Sequence, residues 1–129
     1  MEYGMSVRLP VRFADAVPRV RAALAEQGFG VLTEIDVRAT LRAKLDVDYP
    51  DYLILGACNP PLAHRALTIE PRIGLLLPCN VVVRADGPET VVEALDPQVM
   101  VTVADRAELE PVAEEATTRL RAALAALAG

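Results

Sequence analysis

The sequence predicts an α+β domain: a curved, mainly antiparallel sheet of about five strands with helices packed mostly on one face. Three observations lead there. Several segments carry apolar residues at a period of two, and others carry them at helical spacing. The order of segments is strand, helix, strand, short helix, strand, helix, hairpin, helix. Tight turns around the hairpin favour antiparallel pairing there.

The totals fit one compact domain. The chain has 129 residues, of which 53% are hydrophobic, so a core is available and disorder is disfavoured. We take residues 1–129 as a single domain, with no linker, low-complexity tract or internal repeat. A net charge of -5 disfavours nucleic acid and anionic membrane surfaces, both of which need basic patches. The run Ile73–Leu77 is too short to span a bilayer. The segment Met1–Met5 has neither the basic nor the apolar region of a secretory signal. A cytoplasmic location is therefore expected, with both cysteines as reduced thiols.

Val7, Leu9, Val11 and Phe13 alternate with polar residues and Pro10, which predicts a half-buried strand at a sheet edge. Asp15 is placed to cap a helix through Val17, Val20 and Leu24, with Gly28 as its stop. Phe29, Val31, Thr33 and Ile35 alternate again and predict a second strand. Asp36 can cap a short helix with the stripe Val37, Leu41 and Leu45. Its other face carries Arg38, Arg42 and Lys44, either a solvated face or a local anion site.

Tyr49-Pro50-Asp51 reads as a loop, and Tyr52 to Cys58 as a strand buried on both faces. Asn59 followed by Pro60 is a helix start: a cap, then proline at the first helical position. That helix holds His64 and ends near Thr68 or Pro71. Ile73 to Leu77 fits a helical turn or a buried connection equally well. Val81 to Arg84 and Thr90 to Leu95 are strands joined through Ala85-Asp86-Gly87-Pro88, whose Asp-Gly is a hairpin signal. Asp96-Pro97 ends the second. A long helix follows, with Pro111 at its first position and the stripe Leu109, Val112, Ala116, Leu120, Leu124 and Leu127. Glu115 and Arg119 are spaced for an ion pair on its surface.

Four blocks resemble a known family. They are Gly28 to Val37, Ile54 to Pro60, Gly74 to Val83, and Leu95-Asp96-Pro97. In this order they resemble domain of unknown function family 302, an uncharacterised bacterial and archaeal family, over residues 7–127. The resemblance implies a small single α+β domain assembled as a homodimer. It assigns no residue a catalytic role.

The candidate chemistry centres on Cys58-Asn59, Cys79-Asn80 and the single histidine, His64. Cys58 precedes a proposed helix N-terminus, whose free N–H groups can stabilise a thiolate. It can equally be a small hydrophobe at a strand end. Cys79 enters a strand, where burial would leave it inert. With His64 the two thiols form a candidate zinc or copper set, although their spacing matches no standard zinc module and His64 also fits a surface or partly buried helix position. Glu34 and Asp36 are two apart on a strand and so share a face, although Asp36 is also a helix cap. Asp96 before Pro97 reads as turn chemistry. The ligand-binding candidates are thus Cys58, Asn59, His64, Cys79, Asn80 and Glu34, and the metal candidates are Cys58, His64 and Cys79. No cofactor is required. Two functions follow from this inventory. The first is a dimeric, non-enzymatic binding domain for a small ligand or protein partner. The second is a thiol- or metal-dependent enzyme or sensor.

Overall fold

The computed structural model of the chain describes residues 2–129. Among them the expected α+β architecture forms. The five strands are β1 (Gly4–Leu9), β2 (Gly30–Asp36), β3 (Tyr52–Cys58), β4 (Cys79–Asp86) and β5 (Glu89–Leu95). They build one open sheet in the order β1-β5-β4-β3-β2, and every neighbouring pair is antiparallel. The helices are α1 (Phe13–Glu26), α2 (Val37–Leu45), α3 (Pro60–Ile69), α4 (Gln98–Ala104) and α5 (Glu110–Ala128).

The main core lies where α1 and α5 cover one face of the sheet. Val20, Leu24 and Leu120 meet Leu55, Val83 and Val92 there. A second apolar cluster joins Leu62 and Ala66 of α3, Ile73, Met100 of α4, and Leu109, Val112 and Ala116 at the start of α5. Helix α5 belongs to both, its first half in one cluster and its second half in the other.

The local signals explain most boundaries. Gly28 stops α1 at φ +82°, a conformation that costs glycine nothing. Asp36 accepts from the Ala39 N–H at 2.9 Å and opens α2. Asn59 accepts from the Leu62 N–H at 3.3 Å and opens α3. Glu115 and Arg119 pair at 3.2 Å along α5.

Other boundaries differ from expectation. β1 is an edge strand but ends at Leu9, because Pro10 has no N–H for the ladder. Phe13 therefore opens α1, and Asp15 lies inside the first turn rather than capping it. β3 is covered by helices on one face only: Leu53, Leu55 and Ala57 are buried, whereas Tyr52 and Ile54 are half-buried on the other. The hairpin loop is Gly87-Pro88, one residue later than Asp-Gly suggests. Asp86 still pairs with Glu89, and Gly87 takes φ +61°. Glycine with positive φ followed by a second residue of fixed negative φ is the II′ pattern. Pro71–Leu76 is a 3₁₀ helix that buries Ile73. Helix α4 was not foreseen. Its Val, Met and Thr content favours a strand in isolation, and packing of Met100 holds it helical.

Helix α2 buries none of its residues fully: Val37 and Leu41 of its stripe are half-buried and Leu45 is exposed. Its basic residues are partly neutralised: Arg38 meets Asp51 at 3.2 Å and Arg42 meets Asp48 at 3.0 Å.

Candidate functional site

Strands β3 and β4 bring the two cysteines together. Ala57 pairs with Cys79, so Cys58 and Cys79 occupy neighbouring positions at one end of the ladder. Both are free thiols and both line the same cleft. The cleft holds about 290 Å³ and lies between the two apolar clusters. Phe29, Leu62, Leu77, Met100 and Val112 form its walls, and Leu32 and Leu67 stand at its mouth, 68% and 41% exposed. Pro78, which follows a cis peptide bond, completes the rim beside Cys79.

Asn59 is the one side chain with an amide or charged group along this wall, and it is buried. Its Oδ1 is committed to the α3 cap. Its Nδ2 donates to the Gln27 carbonyl at 3.5 Å. Asn59 thus works as a brace of the cleft wall. Burial pushes the Cys79 thiol up to about 11, and the nearby Cys58 charge adds to the rise. Cys79 is therefore a neutral thiol at physiological pH.

The other candidates lie elsewhere. His64 is on the exposed side of α3, away from the residues that line the cleft. The trio Cys58, His64 and Cys79 is therefore not assembled, because α3 turns its Leu62–Ala66 face inward and its histidine outward. Among the described residues, no group of three or more His, Cys, Asp or Glu side chains is disposed to hold a metal ion. Asn80 is exposed at the start of β4. Glu34 sits on edge strand β2 and is ion-paired with Arg21 of α1, while Asp36 is used as the α2 cap, so these carboxylates do not act together. Asp96 accepts from the Gln98 N–H at 2.9 Å, a side-chain turn that leads into α4. Sequence reasoning missed Met100, Leu32 and Phe29 as cleft residues.

The match to known proteins is to a family and a fold. The model of the domain of unknown function DUF302 matches residues 5–127. The chain belongs to the DUF302 family. A solved DUF302 relative, the crystal structure of an uncharacterized conserved protein from Bacillus stearothermophilus, is similar over 96% of this chain and 97% of its own. The two are 28% identical, with a TM-score of 0.88. No curated protein matches this DUF302 chain. Among its described residues, no helix is long and apolar enough to cross a membrane.

Proposed function

We propose that this DUF302 domain is a non-enzymatic binding protein that takes a small, uncharged, largely apolar molecule into the cleft. One observation carries the reading. The cleft is lined almost wholly by apolar side chains, and its buried amide, Asn59, is already hydrogen-bonded at both ends. A concave apolar site of this kind favours a ligand by removing its surface from water. Titration with an uncharged, environment-sensitive apolar dye tests the reading. Saturable binding of one dye per chain is expected, and Ala63→Trp, which fills the cleft, should abolish it while leaving the circular dichroism unchanged. Absence of saturable binding, or equal binding by the folded Ala63→Trp variant, overturns it.

A homodimer in a reducing compartment goes with this reading. Strand β2 is a sheet edge with only Val31 half-buried and the rest exposed. Ile35, Leu45, Val47 and Tyr49 add exposed apolar surface around it. Such a surface is favoured by a second copy. Light scattering at micromolar concentration should give twice the chain mass, reverting to one on Ile35→Asp. A single-chain mass that does not change on concentration overturns the dimer.

A further inference from the structure

We propose that the sheet face opposite α1 and α5 is where a second copy of this chain docks, sheet on sheet, about a two-fold axis near Ile54 and Val82. The strand register carries the inference. Ile35 of β2 pairs with Ile54 of β3, and Ile54 with Val82 of β4, so three branched apolar side chains stand side by side in one row. Helices α1 and α5 cover the other face, where Leu55, Val83 and Val92 lie. On this face Ile35 is 49% exposed, and Ile54 and Val82 are half-buried. The inference rests on the homodimer reading and places its contact, since Ile35 belongs to the β2 edge and to this face alike.

The chemistry of this face fits the same face on a second copy. A sheet face that meets water carries polar residues across its strands, not an unbroken apolar row over three of them. The row ends at Glu93 of β5, which lies opposite Val82 and pairs with the Arg84 guanidinium at 3.2 Å. Arg8 likewise meets Asp86 and, at 3.3 Å, Glu89. The face is thereby close to neutral, two arginines against three carboxylates, within a chain of net charge -5. Two such faces approach without the repulsion that the acidic chain otherwise imposes. Arg84 and Glu93 stand side by side, so a two-fold rotation sets each charge near its opposite on the second copy. Five strands about 4.8 Å apart, of six or more residues at about 3.3 Å each, outline roughly 500 Å². Two such faces stacked about 10 Å apart hide about the 1,000 Å² that marks a specific interface. A depression of about 290 Å³ between Tyr3, Tyr52 and Leu95, with Val82 in its lining, gives the facing side chains room to interlock.

Light scattering and cross-linking of the full chain test the contact. Ile54→Asp and Val82→Asp should each weaken the dimer by on the order of 100-fold, because the two-fold puts each new carboxylate into the joined face twice. Thermal melts matching the parent confirm that these variants fold. Neither residue lines the apolar cleft, so both variants should bind the dye as the parent does, whatever their mass. Ile54→Cys, in a Cys58→Ser, Cys79→Ala background, should be joined into covalent dimers by a short bismaleimide. Arg121→Cys in the same background, exposed on α5, should not. Folded Ile54→Asp and Val82→Asp variants that keep the dimer mass, or Ile54→Cys left unjoined within a dimer, overturn the sheet-on-sheet contact and leave the homodimer to the β2 edge. A single-chain mass for the parent overturns both.

Discussion

The Asn59 side-chain amide and the Arg119 guanidinium donate to the same acceptor, the backbone carbonyl of Gln27, at 3.5 and 3.3 Å. The C-terminus of α1, the N-terminus of α3 and the middle of α5 are held at that one oxygen. Asn59 also supplies the α3 cap. Asn59→Ala should therefore cost roughly 1–3 kcal/mol, the loss of a cap plus a buried carbonyl deprived of one donor. Urea titration should show a lower midpoint at unchanged slope. An unchanged midpoint would mean that the Leu62 N–H and the Gln27 carbonyl find water as readily.

Gly56 lies directly opposite Thr33, where the register of β2 shifts after Val31. A Cβ at Gly56 would collide with the Thr33 hydroxyl and come within 2.8 Å of Pro78 Cγ. Gly56→Ala should destabilise by roughly 1–3 kcal/mol through overpacking. Thr33→Ala should restore part of the loss, since the Thr33 Cβ is 3.5 Å from that position. A double-mutant cycle measures the coupling. Strict additivity would place the strain on Pro78 alone.

Leu120 is fully buried in α5, between α1 and the sheet. Leu120→Ala should cost about 2–5 kcal/mol, against about 5–15 kcal/mol for a whole domain. Leu127, only half-buried, should cost less. Denaturant melts of the two variants check the order, and equal losses would move the buried stripe by a turn.

The fold holds the Cys79 thiol neutral, which gives stability a pH dependence. The proton is kept in the native chain up to about 11, whereas the ordinary thiol value is 9.0. Above pH 9 the unfolded chain releases a proton that the native chain retains. Stability is therefore unaffected below that range and falls as pH rises through it, by roughly 2–3 kcal/mol in full. Cys79→Ala should flatten this part of the curve. Alkylation of single-cysteine variants should likewise find Cys58 the faster thiol at pH 8. A faster Cys79 would contradict its burial.

Much of the fold was legible because short-range chemistry decided it. Gly28, Asp36, Asn59 and the Gly87 turn all act within a few residues, and each did what its type predicts. Long-range effects were not legible. Nothing local told that α4 would be helical, since its residues prefer strands and only contact with Leu62 and Val112 decides otherwise. The site was half legible for the same reason. Cys58, Asn59 and Cys79 do line one cleft, because the register sets the end of β3 beside the start of β4. His64 is a surface residue of α3, one of the two places the sequence left open for it, and helical phase turns it away from the cysteines. Met100 could not be found without α4.

The pairing of the earliest strand with late segments bears on how this chain is made. β1 joins the sheet only through β5, from Gly4 opposite Leu95 to Leu9 opposite Thr90. The core above it then needs Leu120 and Ala123 of α5. A ribosome must therefore release the chain as far as Leu95 before the first strand has a partner to pair with. Until then the apolar face of the β3–β4 ladder is covered by α1 alone, without α5. Closing such distant contacts is slow and leaves nascent chains open to association. Synthesis of this domain should thus be most sensitive to chaperones in its final quarter.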